Sequence, residues 1–270
     1  KKLIHTSTIS VYEPLTVKMI TEETEYDGSI FEYGKRKRLI EEEVLRYVEK
    51  GLDAVILQPT IVYGPYSGPW TDRTCYQLLT GTVVLPDGGS GICNPVYVYD
   101  VVRAIICALL TPKSNSVRFL ISGPDSVTWG KYYNAFEKIL GTSSVINKNV
   151  KDIKNSQFNP VKSLRLILGD PKRAFSWEPM KSFLQSIKYK IPGKYRTLIK
   201  NIYGSYQKIA PKPIYMPNKQ MLLLLTTNSV VDISRSQKEL GYNPQYTFED
   251  GMKKTAGYIK WAFPKSFDIQ

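Results

Sequence analysis

Tyr33-Gly34-Lys35-Arg36-Lys37, with Thr8 twenty-five residues upstream, is the stretch from which the rest of the chain is read. Tyr33 and Lys37 are four apart, so on a helix they lie one above the other on the same face. A tyrosine phenol is a poor base at neutral pH because its pKa is near ~10. An ammonium fixed within a few Å favours the phenolate and brings that pKa toward the working range. Such a pair can accept a proton from a hydroxyl or return one to a carbonyl, and Thr8 would supply a third polar group on the same oxygen.

The spacing by itself describes a solvated tyrosine and lysine more often than a site. It recurs at Tyr215 and Lys219, but Pro217 lies between them and would break a helix. The first copy heads a segment from Gly34 to about Lys50 with apolar Leu39, Ile40, Val44, Leu45 and Val48, the pattern of an amphipathic helix with one buried stripe.

Upstream, Lys2 to Val11 reads as a strand ending in small hydroxyl residues. Downstream, Asp53-Ala54-Val55-Ile56-Leu57 is a short continuous apolar run, as in a strand buried on both faces. Strand, helix and strand in this order make a parallel βαβ unit. Ligands of such sheets sit at the carboxyl ends of the strands, which places Thr8, Pro59 and Thr60 at the candidate site.

Further along, Asp72 to Leu79 predicts a short helix and Thr82 to Leu85 a short strand. Gly88-Gly89-Ser90-Gly91 has the composition of a phosphate loop, but a strand-like Val96-Tyr97-Val98 follows it instead of a helix, so it reads as a turn. Asp100 is expected to cap a helix running to about Leu110, closed by Pro112. Val117 to Ser122 reads as a buried strand, and Val127 to Leu140 as a helix stopped by Gly141. Asp232 to Gly241 predicts a capped helix, and Thr247-Phe248-Glu249-Asp250 opens the last one, through about Ala262.

Composition sets the outer limits. The 270 residues suffice for one large or two modest domains. No apolar run approaches the roughly 20 residues of a membrane span, Met221 to Leu225 being the densest patch. Cys75, Cys93 and Cys107 have no metal-ligand spacing and suit a reducing cytoplasm, the expected location. His5, the one histidine, reads as a plain strand residue. The net charge of +13 is concentrated: residues 151–220 hold fifteen Lys and Arg against Asp152, Asp170 and Glu178. Such a segment attracts phosphates or anionic surfaces, and Phe183 to Ile199 could lie on a membrane. It has no nucleic-acid motif, so no nucleic-acid partner is expected.

Taken in order, these pieces resemble the extended short-chain dehydrogenase/reductases, the NAD-dependent epimerase/dehydratase family. The hydroxyl-rich strand end through Val11-Tyr12 is similar to that family's serine/threonine strand, and Tyr33 to Lys37 to its YxxxK helix. Pro59 to Pro65 (PTIVYGP), Asn94 to Asp100 (NPVYVYD) and Asp232 to Pro244 (DISRSQKELGYNP) resemble its later signatures.

The resemblance implies an α/β fold: a Rossmann-like parallel sheet, incomplete at its N-terminal half, with a smaller mixed α/β substrate-binding domain. Residues 1–125 would be the second half of a Rossmann NAD(P)-binding domain, with a substrate-domain excursion at about 67–97. Residues 126–270 would be mostly substrate-binding, including the basic segment 151–220. The family's glycine-rich dinucleotide turn is not in this sequence, and the expectation is that the sequence is part of a longer one.

Carried over by resemblance, Tyr33 would be the catalytic acid/base and Thr8 its substrate-polarising partner. Lys37 would hold the nicotinamide ribose, with Pro59 and Thr60 lining the nicotinamide pocket. The implied cofactor is NAD or NADP. The implied activity is an epimerase or reductase acting on a secondary alcohol or ketone, most readily of an anionic nucleotide sugar. A sterol-like or lipid-linked substrate, and a non-catalytic binding or scaffold protein that keeps the fold, stay open as alternatives. A homodimer and a peripheral membrane contact through the basic segment are compatible with the pattern.

Four positions depart from the family. Ile9 and Ser10 stand where dehydratases carry Asp-Glu and decarboxylases a Glu, so neither reaction is expected. Ile61 stands where sugar-nucleotide enzymes often have asparagine, and Cys93 where many epimerases place an arginine on the nucleotide phosphates.

Overall fold

A computed structural model of the chain describes residues 1–26, 31–112, 117–157 and 212–264. Residues 158–211 of the basic segment, with the membrane-surface expectation for Phe183 to Ile199, lie outside the described residues.

The centre of the fold is a parallel sheet of β1 (Lys2–Thr6), β3 (Asp53–Pro59) and β8 (Arg118–Ile121), in the order β1-β3-β8. Thr6 lies beside Leu57, and Pro59 beside Ile121. Successive side chains of a strand point to opposite faces, and β3 uses both. Ala54 and Ile56 pack under Val44 and its neighbours on helix α1 (Glu32–Val48). Val55 and Leu57 pack with Phe119 and Ile121 against Val101, Ala104 and Ala108 of α3 (Val98–Leu110). This two-sided burial is why the segment reads as an uninterrupted apolar run.

Around this core lie smaller parallel pairings. A short strand β2 (Met19–Ile20) pairs with β12 (Val230–Val231), and β4 (Ile61–Tyr63) with β7 (Pro95–Tyr97). In a second sheet, β5 (Thr82–Pro86) is flanked by β10 (Val145–Lys148) and β11 (Ile214–Tyr215). Strand β6 (Ile92–Cys93) runs antiparallel to β9 (Val127–Thr128). Helices α2 (Arg73–Thr80), α4 (Trp129–Leu140), α5 (Val150–Gln157), α6 (Lys219–Thr226), α7 (Ser234–Leu240) and α8 (Phe248–Ala262) complete the described architecture. An aromatic cluster of Tyr63, Tyr97, Trp129, Tyr132, Phe136 and Phe248 joins β4, β7, α4 and α8.

Several sequence expectations need correction. The first strand ends at Thr6, and Ile9–Tyr12 form a 3-10 turn whose N-cap is Thr8, accepting a hydrogen bond from the Ser10 amide. A hydroxyl side chain is a strong competitor for backbone N–H groups, so it breaks the strand and starts a turn. Asp100 does not cap α3, which begins two residues earlier. It is fully buried in the first turn and accepts from the Gln245 and Tyr246 amides at 2.9 and 3.1 Å. Asp232 sits one residue ahead of the N-cap Ile233 and holds the Ser234 amide at 2.8 Å. Val127 and Thr128 form a short strand, and Thr128 caps the helix that Gly141 ends in the left-handed conformation, φ 67°. The turn reading of Gly88 to Gly91 agrees with a 3-10 turn at Asp87–Gly89 followed by β6.

Candidate active site

Helix α1 does not bury the face that its apolar residues suggest. Leu39 and Ile40 are 55% and 45% exposed. The inward stripe is instead Gly34, Lys37, Glu41, Val44 and Val48, spaced by three and four, with Arg38 and Leu45 beside it. Its C-terminal half is apolar and packs on the sheet, while its N-terminal half is polar. That polar half is where α1 meets the turn after β1. Polar side chains turned inward are costly unless they find partners, and here they do.

Lys37 extends to the end of β1, its Nζ donating to the Thr6 carbonyl at 3.0 Å. Thr8 is buried two residues further along, its hydroxyl taking the Ser10 amide at 3.2 Å. The Ser7 amide bonds the Leu57 carbonyl, so β1 and β3 run out side by side. Pro59 and Thr60, both buried, stand at the end of β3, and Thr60 reaches Ser122 at the end of β8, Oγ1 to Oγ 3.3 Å. Hydroxyls from Ser7, Thr8, Thr60 and Ser122 thus gather at one edge of the parallel sheet with one ammonium. The Ser7 hydroxyl is buried with no hydrogen-bond partner among the described residues.

Tyr33 lies one helical turn before Lys37, at the open end of the helix, and is 54% exposed. Its hydroxyl bonds no described residue. The structure therefore brings Thr8, Lys37, Pro59 and Thr60 to one rim and leaves Tyr33 at the solvent side of that rim. The second Tyr-x3-Lys is split between elements: Tyr215 is on β11, bonded to Thr80 at 2.7 Å, and Lys219 begins α6.

Ile9 is buried in a small apolar cluster, with Val11 and Ile20. Ile61 and Cys93 are both buried in the aromatic cluster, where burial holds the Cys93 thiol well above its ordinary range. Their side chains are core, which is why these two positions are apolar. Sequence reading passed over Glu13, which is buried with its carboxyl held by Ser10 Oγ and Gln220 Nε2, each at 3.0 Å. Burial raises its pKa against those hydrogen bonds. Its partner Gln220 comes from the far end of the chain, so no local pattern reveals the pair.

His5 on β1 faces the same helix. Burial is the main cause of its lowered pKa, with the Lys37 ammonium adding to it and Glu41 opposing it. Its Nε2 is buried without a hydrogen-bond partner among the described residues. A base whose folded pKa lies below its unfolded value takes up its proton on unfolding, so its neutral form favours the fold. That contribution is complete above the unfolded value of 6.5 and is lost as pH falls from there through the folded pKa. His5→Gln is expected to weaken the decline of Tm between about pH 7 and pH 5. Thermal unfolding across this range checks it; parallel profiles for both proteins would refute the assignment.

The parallel α/β sheet is of the Rossmann-like type, and hydroxyls, an ammonium and a nearby phenol lie at its carboxyl edge. The NAD dependent epimerase/dehydratase family model matches residues 1–121 of the 270. UDP-glucuronic acid 4-epimerase from Bacillus cereus, solved with UDP-glucuronic acid and NAD, is 19% identical at a TM-score of 0.59. The alignment covers 97% of this chain and 62% of that one. UDP-glucose 4-epimerase from Thermotoga maritima, solved with UDP-glucose, is 20% identical at 0.59, covering 97% and 64%. dTDP-glucose 4,6-dehydratase from Bacillus anthracis, solved with NAD, is 16% identical at 0.59, covering 97% and 63%. Identities this low speak for a shared fold. The uncharacterized protein YbjS of Escherichia coli is 22% identical over 229 residues, 83% of this chain and 56% of YbjS. The chain thus spans somewhat under two thirds of these relatives' lengths. Among the described residues no helix is long and apolar enough to cross a membrane, and no cluster of His, Cys, Asp and Glu could hold a metal.

Proposed function

We propose that the chain carries the acid/base half of an NAD-dependent epimerase site acting on a secondary alcohol of a nucleotide sugar. The observation that supports this most is the Lys37 ammonium held on the Thr6 carbonyl at the end of β1, two residues before Thr8 in the chain, with Tyr33 one helical turn away on α1.

The donor set suits the nicotinamide end of the cofactor. An ammonium has three protons, and Lys37 gives one to Thr6, leaving others for ribose hydroxyls. The unpartnered Ser7 hydroxyl offers a further contact, and Pro59 and Thr60 would border the ring. When bound, NAD supplies hydride transfer at the carbon that bears the reacting hydroxyl.

The side chains then manage the proton. Thr8 hydrogen-bonds the substrate oxygen and fixes it toward Tyr33. The Tyr33 oxygen takes the hydroxyl proton as the carbonyl forms, and gives it back when the alcohol is restored. Lys37 offsets the charge that develops on the phenolic oxygen. In an epimerase the proton and the hydride would each be removed and returned once in each turnover, so no net oxidation or reduction occurs. In a simple reductase only one half occurs. Elimination of water is disfavoured, since Ile9 is buried and Ser10 is bound to Glu13.

The test is to incubate the purified chain with NAD and either UDP-glucose or UDP-glucuronic acid. Binding is followed by calorimetry and the 4-epimer by NMR. Saturable NAD binding with epimer formation is expected. Turnover only with added NADH would make it a reductase, and no binding together with no conversion would defeat the proposal.

A further inference from the structure

Three segments of chain form the rim of the candidate site: the turn that Thr8 caps, the start of α1, and the end of β3. One chain of buried side chains joins all three. Glu41 is 1% exposed and stands one helical turn beyond Lys37. Both its carboxylate oxygens accept from Gln58 Nε2 at 3.0 Å. Gln58, 0% exposed, immediately precedes Pro59. Its Oε1 accepts the hydroxyl of buried Tyr12 at 2.9 Å, and Tyr12 closes the 3-10 turn that begins at Thr8. A side branch ends the chain: Tyr26 donates to Glu41 Oε2 at 3.2 Å and receives Arg118 of β8.

Buried side-chain hydrogen bonds between elements far apart in sequence fix relative position, because leaving any member unpaired is costly. Gln58 is well suited to the middle place, since one amide offers a donor on one side and an acceptor on the other. We propose that Glu41, Gln58 and Tyr12 are positioning residues that set the spacing of Tyr33 and Lys37, of Thr8, and of Pro59-Thr60 to one another. This rests on the catalytic reading of that rim. A purely local structural tie would steady the elements it touches; this chain couples the 3-10 turn, α1 and the end of β3, which are 17 to 46 positions apart in sequence.

The test has two arms. Gln58→Met keeps the shape and removes the hydrogen bonds to Glu41 and Tyr12, while Tyr12→Phe removes only the hydroxyl, should the first variant fail to fold. In hydrogen exchange, Tyr12→Phe is expected to speed the amides of residues 36–41 on α1 by about fivefold or more, with those of α4 unchanged. Unchanged exchange in α1, or a rise throughout the chain, overturns the coupling whether or not the chain is an enzyme. In the second arm, Gln58→Met is expected to lower kcat for UDP-glucose epimerisation about tenfold or more with KM nearly constant. Glu41→Gln, whose carbonyl still accepts the Gln58 amide, is expected to keep kcat within about threefold. A rise in KM alone, or Glu41→Gln as damaging as Gln58→Met, overturns the positioning role. If Tyr33→Phe leaves turnover intact, the catalytic reading has failed, and the exchange arm alone decides whether the three elements are tied.

Discussion

Replacing Tyr33 by phenylalanine is expected to lower epimerisation of a nucleotide sugar by about 10²–10⁴-fold, the usual contribution of a positioned acid/base. The ring would be kept, so the fold and NAD affinity should stay near those of the parent chain. More than half of this side chain is open to solvent, and its hydroxyl supports no described neighbour. Loss of that hydroxyl therefore removes a proton carrier without uncovering a buried partner. Lys37→Met should behave differently. It deletes the bond to the Thr6 carbonyl as well as the charge, so both NAD binding and turnover should weaken. Stopped-flow and calorimetry on the two variants separate these patterns. A Tyr33→Phe protein with undiminished turnover would remove the phenol from the chemistry altogether.

The largest expected effect on stability comes from Asp100. It is wholly buried and its two oxygens accept from consecutive amides, those of Gln245 and Tyr246. Arg103 stands 3.9 Å away. Burial raises the Asp100 pKa, the two amides and Arg103 acting against it. Asp100→Ala would leave both amides without their acceptor and open a small void. Each amide deprived of a charged acceptor costs about 1–3 kcal/mol, so a loss of about 2–6 kcal/mol is expected. Asp100→Asn keeps one acceptor oxygen and should fall between. Urea unfolding measures both. A change below about 0.5 kcal/mol for the alanine variant, the range of ordinary surface substitutions, would show that the tail is held by other contacts.

The local half of the fold was readable from the chain itself. Period-two alternation collapses to a solid apolar run at Ala54 to Leu57 because both faces of β3 are covered, and the helix ending at Gly141 carries its stop signal in the glycine. The candidate rim was readable through Tyr33 and Lys37 because spacing on a helix is a local property. Where reading failed, the cause was a partner far away. Leu39 and Ile40 satisfy the apolar periodicity that marks a buried stripe, yet Lys37 and Glu41 face inward. Their partners, Thr6 and Gln58, come from two different strands. Asp100 has the composition of a cap, but it serves amides 145 and 146 positions later. Glu13 and Gln220 are 207 apart. No window of sequence contains both members of such a pair.

The pairing of Val230–Val231 with Met19–Ile20 bears on how the protein is made. Close by, Thr227 bonds the Leu15 carbonyl across 212 positions at 2.8 Å, and Ser229 bonds the same stretch. Contacts of such long sequence separation form late and slow the overall rate. During synthesis the segment around residues 15–20 emerges early and must wait, its short strand unpaired, until the ribosome has released residues near 231. Expression at lower temperature or with chaperones should therefore favour recovery of native protein. A clone ending before residue 227 should accumulate as aggregate, although it would keep residues 1–121, which the family model matches.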